Sequence, residues 1–220
     1  ISLRTSPGIG DGKLQFNTLT WDARKYIRFG KYYSLAGRVM LGKSMGSDRQ
    51  QFFLGGLPNW YFGNGETNSE DDTRPSRSPV LNPDDNILKN VFFAEYAMPV
   101  RGARYVERQG SNVALANFEY RFPFLFALGP PKRVAATYLF GHFFFDIGAA
   151  WDSQNEFSDE DVLYSKYKDA SIISPTISSF GTGVKLFTPV GLLRIDIAWD
   201  IKNNGGYSKP QYYFSFGADW

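Results

Sequence analysis

The chain has 220 residues, and its 24 Lys+Arg nearly balance its 22 Asp+Glu, which excludes a nucleic-acid binder working through a strong basic field. There is no cysteine and a single histidine, His142, so disulfide scaffolds, thiolate sites, Cys nucleophiles and multi-His metal centres are excluded. Aromatics reach 17% while mean hydropathy is −0.32, and no run of ~18 apolar residues is available for a transmembrane helix.

Alternation predicts eight strands. The first two cover 1–8 and 14–29. Ile1 leads straight into the first with no signal peptide ahead, so the chain reads as part of a longer protein. Gly8-Ile9-Gly10-Asp11-Gly12-Lys13 between them looks like a phosphate cradle, but its place between two strands makes it a turn. The third strand, 32–43, sets Tyr33, Leu35, Gly37, Val39 and Leu41 against Ser34, Ala36, Arg38, Met40 and Gly42. Gly37 to Ser44 fits the phosphate-loop pattern in letters. That chemistry needs a turn opening onto a helix N-terminus; here the segment is an alternating strand followed by Met45-Gly46-Ser47-Asp48.

A connection of 44–112 follows, far too long for a turn. Its stretch from Asn64 to Asn86 is polar and Pro-containing, and is expected to be exposed or mobile. Phe92 to Gly102 is apolar enough to be ordered. The fourth strand, 113–123, has Ala114, Ala116, Phe118, Tyr120 and Phe122 on one face and Asn117, Glu119 and Arg121 on the other. The fifth, 138–151, separates Phe143, Phe145, Ile147, Ala149 and Trp151 from His142, Phe144, Asp146, Gly148, Ala150 and Asp152. The sixth covers 179–188. The seventh, 192–200, sets Leu193, Ile195, Ile197 and Trp199 against Arg194, Asp196, Ala198 and Asp200, and the eighth is 211–220.

A soluble sandwich also alternates. Here, however, one face is unusually aromatic, Tyr33, Trp151, Trp199 and Trp220 sit near strand ends as interfacial girdles require, and the other face carries opposite charges suited to a watery lumen. The aromatic face is therefore expected against lipid, with an Arg tolerated better at Ala198 than at Ile197. Loop lengths alternate as well. The long set, 9–13, 44–112, 152–178 and 201–210, is expected outside; the short set, 30–31, 124–137 and 189–191, in the periplasm. An eight-stranded barrel fills its own interior, so an inward-folded loop of this size calls for a wider barrel with further strands.

Chemistry has little foothold. The acidic run Glu156, Asp159, Glu160 and Asp161 suits a solvated loop better than a calcium site. No spacing supports a paired-carboxylate hydrolase or a Ser-His-Asp set around His142. No enzymatic role and no cofactor are expected.

Three segments carry a resemblance. Tyr212-Tyr213-Phe214-Ser215-Phe216-Gly217-Ala218-Asp219-Trp220 resembles the C-terminal β-signal of outer-membrane barrels, with Tyr212, Phe214, Phe216, Gly217 and Trp220 as its elements. Val100-Arg101-Gly102, late in the longest loop, resembles the Arg-Gly motif of the sixth external loop in the bacterial surface antigen superfamily (BamA-like barrels). Phe144-Phe145-Asp146 and Thr188-Pro189-Val190-Gly191 resemble that family's closing strands. The chain departs from it at Ala103, where an aromatic is usual, with Tyr105 two residues on. Leu54-Gly55-Gly56 with Asn59-Trp60 is similar to members that follow periplasmic propeller domains.

The resemblance implies an all-β, antiparallel transmembrane β-barrel of the bacterial outer membrane. Residues 1–220 would be its last eight of sixteen strands and a single domain portion, with 44–112 folded inward. It implies a barrel that assists insertion of outer-membrane proteins or passage of polypeptide. Its partners would be the lipid bilayer and lipopolysaccharide, client outer-membrane or secreted polypeptides, and periplasmic or lipoprotein subunits. The alternatives are a passive channel or receptor, and a membrane anchor for another domain. Within the lumen, Arg101 is expected to bond Glu119 and Asp146 in a partly hydrated setting, with Gly102 allowing a close backbone approach and Phe144 beside them.

Overall fold

The computed structural model describes residues 1–7, 14–57, 60–63, 94–97, 99–103, 107–124, 139–152, 175–189, 191–201 and 206–217, and of 60–63 and Tyr96 only the backbone. The turn at 8–13, the stretch from Asn64 to Asn86, the acidic run, Asn59, Tyr105 and Trp220 lie outside the described residues.

Among the described residues there are twelve strands: β1 (Ser2–Pro7), β2 (Gln15–Phe29), β3 (Tyr33–Met45), β4 (Phe52–Leu54), β5 (Trp60–Gly63), β6 (Glu95–Tyr96), β7 (Arg108–Gly110), β8 (Asn112–Pro123), β9 (Leu139–Trp151), β10 (Thr176–Thr188), β11 (Gly191–Asp200) and β12 (Gln211–Phe216). The principal sheet runs β1-β2-β3-β8-β9-β10-β11-β12-β5, and β6-β4-β7 form a small second sheet. The eight predicted strands appear as a meander, each paired antiparallel with the next. β3, β9 and β10 have 13 residues each, enough for the ~9–11 that a tilted strand needs to cross the hydrocarbon.

The burial pattern decides between membrane and water. The apolar faces are the exposed ones: Phe118 is 53% exposed, Phe143 54% and Ile195 56%. On the opposite faces Glu119, Asp146 and Asp196 are fully buried. A soluble sandwich would hide the aromatics and expose the acids; a barrel in lipid does the reverse.

Two strands extend at one end by two or three residues beyond what alternation predicted. β3 continues to Met45 because Ser44 still points inward and its N–H reaches Ser111 O at 2.7 Å. β10 begins at Thr176, where Thr-Ile-Ser pairs with Ala149 to Ile147 of β9.

The connection 44–112 contains structure that alternation did not reveal. Its strands β4, β6 and β7 are two or three residues long, too short to show a period. They lie inside the curve of the main sheet. Phe52, Leu54, Ala97, Val100 and Ala103 from the loop pack on Met40, Val113, Leu115, Ala150 and Ile177 from the wall. Inward-facing Gly42 and Gly148 make room for them. A Cβ at Gly42 would come 2.7 Å from the Phe52 ring, and one at Gly148 would come 2.9 Å from Leu54. The loop is therefore an apolar plug seated where the wall lacks side chains.

Candidate functional site

β8 and β9 place the wall side of the site. Their register sets Asn117 opposite Asp146, Glu119 opposite Phe144 and Arg121 opposite His142, all on the inner face. The loop supplies the other side. An antiparallel bridge between Gly56 and Val100, with Gly56 N donating to Val100 O at 3.0 Å, holds the backbone just before Arg101.

Arg101 is fully buried. Its backbone N–H, Nε and Nη2 donate to the Asp146 carboxylate at 3.0, 2.8 and 2.8 Å, and Nη1 donates to Glu119 Oε2 at 3.0 Å. Its Cζ lies 3.6 Å from the centre of the Phe144 ring, a close cation–π stack. Glu119 Oε1 in turn accepts from Arg121 Nε at 2.6 Å and from Lys185 Nζ. Asn117 Nδ2 donates to Asp146 Oδ1 at 2.9 Å and to Pro99 O at 2.8 Å, so it ties wall and loop independently of charge.

A planar, always-protonated fork is what two carboxylates at different heights require; an ammonium offers no such bidentate geometry. Burial works to lower the Arg101 pKa, but the attraction of Asp146 and Glu119 and the hydrogen bonds from Arg101 to Asp146 outweigh it and raise it.

Gly102 completes the contact with β11 and β12. Its φ is +90°, and an added Cβ would come 3.2 Å from Ala198 Cβ and 3.3 Å from Asp200 N. Its N–H donates to Tyr213 Oη at 3.0 Å, and that hydroxyl donates to Ala103 O at 3.3 Å. Ala103 itself is buried among the plug residues. The position where the resemblance led to the expectation of an aromatic is filled here by the small, buried side chain of Ala103.

The five residues read from the sequence as the loop motif and its wall partners, Arg101, Gly102, Glu119, Phe144 and Asp146, are brought together. Two expectations are corrected. The contact is enclosed by protein rather than open to the lumen, since Arg101, Glu119 and Asp146 are all fully buried. Ala198 does not face open water: it is fully buried in a cluster with Leu57, Phe144 and Tyr213, because the loop tip covers it. Sequence reasoning missed Asn117, Arg121, Lys185 and Tyr213 as members. Asn117 and Arg121 share the polar face of their strand with Glu119; Lys185 and Tyr213 carry no signal beyond parity, Tyr213 being the inward residue between outward aromatics.

A second polar cluster lies beside the first. His142 Nε2 is 2.8 Å from Asp196 Oδ1, and Arg194 Nε lies 3.3 Å from Asp196 Oδ2 and 3.1 Å from Ser215 Oγ. Gly183 stands opposite both His142 and Asp196 in the register, where any Cβ would collide with them. Among the described residues no group of three or more His, Cys, Asp or Glu is arranged to hold a metal.

The terminal segment divides as its alternation requires. Tyr212 is 49% exposed on the outer face with Phe214 and Phe216, while Tyr213 and Ser215 are buried inward. Gly217 leaves the strand with φ +136°, its N–H bonding Leu192 O at 3.0 Å.

With this geometry in hand, the sequence matches the Omp85 superfamily domain across residues 1–220. The chain belongs to the Omp85 superfamily. It is accordingly a protein of the bacterial outer membrane, and its outward aromatic faces meet lipid. Among solved structures it is similar to BamA from Haemophilus ducreyi lacking POTRA domains 1-3, with a TM-score of 0.49 and 13% identity over 91% of this chain and 35% of that one. The chain thus spans about a third of the length of that structure. No curated protein matches it. In this Omp85 chain the Arg101-Gly102 loop tip and strands β8 to β12 are the two halves of one buried network.

Proposed function

We propose that this chain is part of the wall of a single polypeptide-handling barrel domain that inserts client proteins into the outer membrane or passes them across it. In this reading Arg101 is the pin that seats the long loop, with Glu119, Asp146 and Phe144 as its socket and Gly102 as its clearance. Tyr212, Phe214, Phe216, Gly217 and Trp220 form the signal for the barrel's own insertion. The partners are lipid, unfolded client chains and periplasmic or lipoprotein subunits; no catalytic step belongs to the chain.

The observation that carries the reading is the complete burial of Arg101 against two carboxylates. A passive channel uses lumen charges in contact with water and ions. A charge removed from water and spread over Asp146, Glu119 and Phe144 serves to hold a loop in one place. Complementation of a depleted strain with full-length protein tests it. Arg101→Ala should lower heat-modifiable client barrels severalfold while its own barrel stays inserted. Normal client levels, with altered ion conductance only, would favour a channel.

A further inference from the structure

At the loop-bearing rim a cleft of about 510 Å³ opens among Lys43, Arg49, Ser111, Asn112, Trp151 and Asp152. This lies within the ~300–1,000 Å³ typical of small-molecule sites. Lys43, Asn112 and Trp151 are register partners across β3, β8 and β9, and all three stand on the lipid-facing side. Lys43 directly follows the exposed apolar run of Val39 and Leu41, and Trp151 follows Phe145 and Ile147. The cleft therefore sits where the apolar band ends and headgroups begin.

Its charges are uncommitted. Neither Lys43 nor Arg49 makes an ion pair or side-chain hydrogen bond among the described residues, and both are exposed. The acid that lines the cleft is engaged by the backbone: Asp152 Oδ1 accepts the Ser111 N–H at 2.9 Å. Asn112 Nδ2 donates to Trp151 O at 3.1 Å, which fixes the floor between the two strands. An ammonium and a guanidinium facing one cleft suit a phosphate ester, which accepts from a point charge and a planar fork together.

We infer that this cleft binds the phosphorylated sugar headgroup of an outer-leaflet glycolipid, with its acyl chains lying down the outer face below Lys43 and Trp151. The inference rests on the long-loop rim facing outward and is independent of client handling, so failure of client assembly would leave it standing.

Native mass spectrometry of the purified full-length protein in detergent tests it. The probes are bisphosphorylated lipid A, dephosphorylated lipid A, phosphatidylglycerol and inorganic phosphate. Retention of the bisphosphorylated lipid should exceed the dephosphorylated by about tenfold, and the K43A/R49A double variant should lose about that factor. Lys31→Ala, at the opposite rim, should change nothing, and exchange of the two charges in K43R/R49K should retain most binding. Equal retention of the dephosphorylated lipid, or unchanged retention by a folded K43A/R49A protein, would overturn the site. Displacement by inorganic phosphate would make it a free-anion site, and preference for phosphatidylglycerol would place that rim at the inner leaflet; either result overturns the assignment.

Discussion

Arg101 gives the single carboxylate of Asp146 three hydrogen bonds, one from its backbone and two from its guanidinium, all between 2.8 and 3.0 Å. Loop position and side-chain orientation are thus fixed by the same acceptor. Lysine at this position retains the charge and the backbone bond but cannot present Nε and Nη2 together. Arg101→Lys should therefore leave the barrel inserted and weaken seating of the loop. Arg101→Ala, which leaves the buried Asp146 without a cationic partner while Glu119 keeps Arg121 and Lys185, should cost about 3–5 kcal/mol of seating. Protease cleavage within 44–112, measured on intact outer membranes, should rise in the order wild type, Arg101→Lys, Arg101→Ala.

Gly102→Ala tests the close approach rather than the charge. With φ at +90° and an added Cβ only 3.2 Å from Ala198, an alanine has no relaxed placement. A cost of about 1–3 kcal/mol is expected from such backbone strain. Loop cleavage should increase although every partner of Arg101 is intact; cleavage at the wild-type rate would show that the tip does not rest on β11.

Tyr213→Phe removes one oxygen from the terminal strand. The Gly102 N–H then loses its acceptor in a buried place, which costs about 1–3 kcal/mol. The outward aromatics Tyr212, Phe214 and Phe216 are untouched, so heat-modifiability should stay normal while the loop loosens. Deleting Trp220 should do the opposite and leave the chain periplasmic and degraded; a normally inserted barrel after that deletion would remove the signalling role.

Arginine scanning of β11 separates its faces. Ile195 is 56% exposed on the lipid side, and Ile195→Arg should cost ~2–4 kcal/mol if it lies near the bilayer midplane, reducing insertion. Ala198→Arg should spare insertion but eject the loop, because that position is covered by Gly102, Leu57 and Tyr213. Insertion lost equally at both positions would reject the register.

Much of this was legible in the sequence because a barrel wall has period two and nothing else to hide it. Leu193 to Asp200 declares both faces without help, and the same parity places Asn117, Glu119 and Asp146 inward. The Arg-Gly motif identified the loop tip, and loop length identified the loop. What parity cannot report is how deeply a loop enters. Ala198 carries the same inward parity as Asp196, yet only the seating of Gly102 determines that it is covered by the loop. The short strands β4, β6 and β7 exist through wall contacts made by Phe52 and Leu54, and the clearance left by Gly42 and Gly148 becomes readable as a docking scar only once the partners are known.

The most direct measurement is a double-mutant cycle between Arg101 and Asp146 in full-length membrane-inserted protein. Loop cleavage would be followed where opening is fast relative to cutting, so that rates report the open population. If the two residues form one contact, Arg101→Ala with Asp146→Ala should open the loop little more than either change alone, with a coupling of about 2–3 kcal/mol. Additive effects, with the double variant as open as the two single losses multiplied, would contradict the claim that this pair seats the loop.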